Sequence, residues 1–129
     1  MSVSLLSAPV YTALVAAVLM FLHVALMMRV VMQRGKSEIL IGDGGLDVMQ
    51  QAIRVHANLV ENAAIFLIGL GLLELMTGST LVVGVFGGIF VVSRIAHAVG
   101  FGMSTGVTPG RLVGTLGTMI SIVGLAGYV

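Results

Sequence analysis

Apolar residues in this chain do not alternate with polar ones; they run in four long blocks separated by short polar or glycine-rich breaks. Each block approaches the ~20 residues that an α-helix needs to cross ~30 Å of hydrocarbon. The pattern predicts helices over about 9–31, 46–76, 81–101 and 110–128, within a single domain covering 1–129. Pro9 suits a first helical turn, where its missing N–H would have no partner anyway. The long polar segment 33–45, QRGKSEILIGDGG, places Gly42, Gly44 and Gly45 around Asp43 and reads as a turn. At 1.5 Å per residue the second block is roughly 46 Å long, more than the hydrocarbon is thick. Its polar start, LDVMQQAIR, should therefore project into the headgroups or beyond. TGST makes a short turn and GMSTGVTP a loop.

The polar exceptions inside the blocks carry the functional signal. Arg54, Asn58 and Glu61 are spaced i, i+4 and i+7, so their side chains form one stripe on a helix. Placing an ionisable group in a span costs about 2.5 to 3.5 kcal/mol at the bilayer centre, and such groups mark function by default. Counting about 20 residues back from the outer helix ends puts Arg54 at the inner interface, with Glu61 and Arg94 both about 10 Å deeper. Arg29 and Arg111 share the depth of Arg54, so the unusual polar groups gather in one half of the bundle. Glu74 falls at the opposite end as an interfacial acid. A guanidinium is a fork of donors matched to carboxylates, so Arg54, Arg94 and Arg111 with Asn58 and Glu61 could seat a small anion bearing several carboxyl groups. The structural alternative is a Glu61–Arg94 ion pair with the other arginines snorkelling to headgroups. His97 stands i+3 from Arg94, as a ligand, a proton carrier or a core residue; His56 falls on a different face of helix 2 from Arg54, and His23 is interior to helix 1. Neither His56 nor His97 has a carboxylate or second histidine at ligand spacing, so no metal is expected.

With 58% hydrophobic and 9% charged residues and a mean hydropathy of +1.17, the chain is an integral membrane protein with an all-α, four-helix bundle fold. A net charge of +1 and the absence of Trp argue against nucleic acid as a partner. Cysteine is absent, so any sulfur chemistry would use sulfur brought by a substrate. Residues 1–8 contain no Lys or Arg, and the first apolar run reads as a retained span and not as a cleaved signal. Arg29, Arg34 and Lys36 flank the first loop and Arg111 the third, while the second loop and both termini carry no Lys or Arg. By the bias of basic residues both termini should face outward. The glycine pairs Gly84/Gly88 and Gly110/Gly114 allow close helix approach, within or between subunits.

The run RVHANLVE, holding Arg54, His56, Asn58 and Glu61, the LLEL-x-x-G ending of the second helix, the GDGG loop and RIAHAVGF closing the third resemble the MAPEG family, membrane-associated proteins in eicosanoid and glutathione metabolism. The resemblance covers most of the chain. It implies a homotrimer in lipid, with glutathione as co-substrate held in a U shape between subunits near the cytoplasmic face of a bacterial inner membrane. It assigns glutathione binding to Arg54, Asn58 and Glu61, matches Arg94 to a helix 3 arginine, and gives Arg34 or Arg29 the place of a helpful basic residue ending helix 1. His97 becomes a candidate lining residue, and Arg111 takes the role of stabilising the glutathione thiolate. The implied activity is that of a transferase or peroxidase acting on a hydrophobic electrophile or a lipid hydroperoxide. Asn62, His97 and Phe101 stand where several family enzymes have tyrosine. A small four-helix transporter and a MAPEG-fold protein without chemistry are the rival functions.

Overall fold

The computed structural model describes residues 8–103, 106 and 108–129. It contains four helices, α1 (Val10–Ser37), α2 (Asp47–Thr77), α3 (Thr80–Met103) and α4 (Pro109–Tyr128), each long and apolar enough to cross a membrane. Short connections make successive helices antiparallel. Helices α2 and α3 touch each other and both neighbours, whereas α1 and α4 do not meet among the described residues. The cross-section is thus a rhombus with α2 and α3 on its short diagonal. In lipid no hydrophobic effect drives these helices together, so contact depends on packing and on interhelical hydrogen bonds.

Packing centres on Phe66 of α2 stacked on Phe90 of α3, with ring centroids 3.9 Å apart, and on the buried Val55, Leu59, Leu70 and Val83 around them. The α3–α4 pair is the most extensive contact, and glycine makes it possible. A Cβ on Gly114 would lie 2.6 Å from Ser93 O and from the backbone N and Cβ of His97; one on Gly110 would lie 3.1 Å from the Gly100 Cα. The Gly110/Gly114 pair therefore serves packing inside the subunit. Gly84 and Gly88 have open space where a Cβ would go.

Helix α1 extends past the expected end at residue 31 to Ser37. Gln33, Arg34 and Lys36 are good helix formers, and no proline interrupts them. The break comes at Glu38, in the left-handed conformation with φ 55. The connection to α2 then turns through Gly42, Gly44 and Gly45, all at positive φ, which glycine adopts without steric cost. Arg34 closes this loop by donating from Nη1 to the carbonyls of Ile39 (3.2 Å) and Gly42 (3.0 Å).

At the other end, Glu74 lies close to the end of α2, as expected, and there it caps α1. It is 3% exposed, and its Oε1 accepts from the Tyr11 N–H (2.9 Å) while Oε2 accepts from the Thr12 N–H (2.7 Å) and hydroxyl (2.6 Å). First-turn N–H groups have no partner within their helix and carry partial positive charge, so a carboxylate satisfies both requirements. This contact and the short turn at Gly78 hold α1, α2 and α3 nearly flush at that end. The difference between the 31-residue α2 and the 24-residue α3 then lets the α1–α2 hairpin project about 10 Å further at the opposite end.

Candidate functional site

Two groups of the polar residues singled out from the sequence, Arg54 with Glu61 and Asn58 with Arg94, form contacts in the half of the bundle where α1 and α3 finish and α2 and α4 begin; Arg111, Arg34 and Arg29 lie toward the same end in separate surroundings. Arg54 and Glu61 pair across two turns of α2, with Nη1 to Oε1 at 3.5 Å and side chains 50% and 55% exposed. Asn58 lies between them in sequence and about 60° round the helix from Glu61. That rotation decides the partners: α3 packs on the Asn58 side, and Arg94 reaches Asn58 and not Glu61. The expected Glu61–Arg94 ion pair does not form.

Arg94 joins three helices. Its Nη1 donates to Asn58 Oδ1 on α2, and its Nη2 donates to the Gly114 carbonyl on α4 at 3.4 Å. It is 3% exposed. The close approach at Gly114 is what brings an α4 carbonyl within reach, so the glycine and the arginine work together. That carbonyl accepts from Thr118 Oγ1 as well, at 2.8 Å.

His97, one turn along α3, is buried with its backbone against Gly114 and lies within electrostatic range of Arg94 and Arg111. Arg111 opens α4 in a helix start built by Thr108, whose hydroxyl accepts from the Arg111 N–H (3.2 Å) and donates to the Gly100 carbonyl (2.8 Å). Pro109 follows at the first helical position, and the Arg111 guanidinium donates from Nη1 to the Gly106 carbonyl at 3.3 Å. Gly100 lets the backbone of Gly110 and Arg111 press against α3; a Cβ there would collide with the Arg111 N. Of the two basic candidates at the end of α1, Arg34 is engaged with its own loop and Arg29 is partly exposed on the helix. Asn62 donates from Nδ2 to the Asn58 carbonyl at 2.7 Å. The side chain of Phe101 and most of the loop before Thr108 lie outside the described residues.

His56 sits on a different face of α2 from Arg54, turned toward α1. Its ring lies 4.8 Å from that of His23, tilted by 38°, with Nε2 buried and without a hydrogen bond. His23 also borders an open apolar groove of about 210 Å³ between α1 and α2, with Ala16, Ala63 and Ala64 leaving the space. On α2 the groove is centred about 200° round the helix from Arg54, so it does not share the arginine face. The interhelical roles of Glu74 and of the Gly114 carbonyl, and the His23–His56 contact, had no signal in the sequence beyond residue type.

Comparison with known proteins adds a family. A model described as the MAPEG family matches residues 12–129. Inner membrane protein YecN of Escherichia coli strain K12 is 33% identical over 72 residues, 56% of this chain and 55% of the relative, and the same protein of Escherichia coli O6:H1 matches equally. The chain thus spans about half the length of the curated relatives it matches. No solved structure matches it significantly.

Proposed function

The chain belongs to the MAPEG family, and from that premise we propose that it is an inner-membrane homotrimer that binds glutathione at the cytoplasmic side between subunits and activates its thiol. The similarity to an inner membrane protein supports the placement, and the arginines and lysine around the first and third loops support termini facing outward. One observation carries the reading: Arg54 and Glu61, half exposed, stand on the outer edge of a single copy, on a helix long and apolar enough to cross a membrane. Left against lipid they would cost several kcal/mol. A neighbouring copy that closes over them turns the same edge into a polar, water-excluding seat. Glutathione offers two carboxylates, two peptide carbonyls and one ammonium, which Arg54, Asn58 and Glu61 can match in kind.

Arg111 would then act on the sulfur. A cation beside a thiol favours its ionised form, and the thiolate is the nucleophile. Attack on a hydrophobic electrophile forms the S–C bond and expels the leaving group, or adds across an activated double bond with a proton completing the product. With a lipid hydroperoxide, two glutathione molecules are oxidised to the disulfide while the peroxide is reduced to alcohol and water. The test is equilibrium binding of radiolabelled glutathione to the purified protein, with about a tenfold or greater loss expected in Arg54→Ala and Arg111→Ala, the size of one charge-assisted hydrogen bond. Unchanged binding in both variants would refute the assignment.

A second reading, a member that binds glutathione without chemistry, is favoured by Asn62. Its amide turns back onto the Asn58 carbonyl and offers no phenol to the ligand. Turnover of an aryl halide by protein that demonstrably binds glutathione separates the two readings.

A further inference from the structure

Asn58 is held in one orientation. Its Oδ1 accepts from Arg94, its main-chain carbonyl accepts from Asn62, and its Nδ2 makes no hydrogen bond among the described residues. A guanidinium has donors only, so the carboxamide can meet it with oxygen and not with nitrogen. Arg94 is itself immobilised by burial and by the Gly114 carbonyl. Its Nε is buried and makes no hydrogen bond, so its polar reach runs through Nη1 and Nη2 alone. The α3–α4 glycine contact, in which a Cβ on Gly114 would sit 2.6 Å from backbone atoms of Ser93 and His97, sets where that carbonyl stands.

We propose that Arg94 is a positioning residue that never touches the ligand: anchored on α4, it clamps the Asn58 carboxamide so that its N–H groups face away from the core, toward the Arg54–Glu61 edge. There they select a group that accepts hydrogen bonds, a carboxylate or a peptide carbonyl, over one that donates them. The inference rests on the glutathione reading for its ligand and differs from it in one respect. A direct ligand contact by Arg94 would survive the loss of Asn58, whereas a positioning role disappears with Asn58.

A double-mutant cycle on glutathione affinity, measured by titration calorimetry on the full chain in detergent micelles, decides this. Asn58→Ala and Arg94→Gln should each weaken binding about tenfold, the size of one hydrogen bond to a charged group. The double variant should bind no more weakly than Asn58→Ala alone. Asn58→Asp keeps an acceptor toward Arg94 and removes the outward donor; it should retain the wild-type melting temperature and lose affinity at least as far as Asn58→Ala. Additive losses in the double variant, or wild-type affinity in Asn58→Asp, would overturn the positioning role while leaving the glutathione reading intact. A wild-type protein that does not bind glutathione would overturn both. Should Arg94→Gln fail to fold, Arg94→Lys, which keeps a donor toward Asn58 but cannot span to α4, takes its place in the cycle.

Discussion

Glu74 offers the sharpest test of how the bundle is held together. Replacing it with alanine removes a carboxylate that accepts three hydrogen bonds, two from first-turn N–H groups of α1 and one from the Thr12 hydroxyl. A hydrogen bond to a charged group contributes about 1.5 to 3 kcal/mol, and three on one carboxylate do not add fully. The site lies at the end of the span, where water can reach part of what is exposed. We therefore expect Glu74→Ala to cost about 3 to 5 kcal/mol, a large share of the ~5 to 15 kcal/mol that typically holds a domain. Glu74→Gln keeps one acceptor oxygen and should cost about half as much. Thr12→Val removes only the hydroxyl contact and should cost about 1.5 to 3 kcal/mol. Far-ultraviolet circular dichroism of the detergent-solubilised protein during heating reads the effect. At roughly 3 to 5 °C per kcal/mol for a chain of this size, Glu74→Ala should melt about 10 to 20 °C below the wild type. A shift of a degree or two would show that α1 is held by side-chain packing alone.

Other expectations follow from the same contacts. Gly114→Ala forces α3 and α4 apart against backbone atoms, so it should lower stability by about 1 to 3 kcal/mol and weaken glutathione binding as the carbonyl leaves Arg94. Phe66→Ala removes one ring of the α2–α3 stack and should cost about 3 to 5 kcal/mol in the same melting assay, with helix content retained at low temperature. Arg34→Ala frees the connection between α1 and α2. Amide hydrogen exchange should accelerate in residues 38–46 while the melting temperature stays near that of the wild type.

Much of the architecture was legible because the bilayer imposes a length: four apolar runs near the span requirement become four helices. The stripe on α2 was also legible, since helical spacing fixes which residues share a face. Spacing does not fix how one helix is rotated against the next. Asn58 and Glu61 are only about 60° apart, and that difference decides which of them meets Arg94. The long α1 was missed because the hydrocarbon limits the apolar run but not the helix, and Gln33, Arg34 and Lys36 continue it into the aqueous side. Glu74 resembled an ordinary interfacial acid because two of its three hydrogen bonds come from backbone groups of Tyr11 and Thr12, more than sixty residues earlier, and backbone groups leave no mark in a sequence. Gly110 and Gly114 signalled close packing but not its partner, which proved to be α3 of the same chain.

Whether the arginine-bearing edge of α2 and the start of α4 together hold an acidic tripeptide is decided by a structure of the protein determined in lipid with glutathione added. The expected result is glutathione density along Arg54, Asn58 and Glu61, with the sulfur beside Arg111 and a neighbouring copy closing the edge. Density in the apolar groove beside His23, or an Arg54–Glu61 edge open to lipid with no ligand upon it, would contradict it.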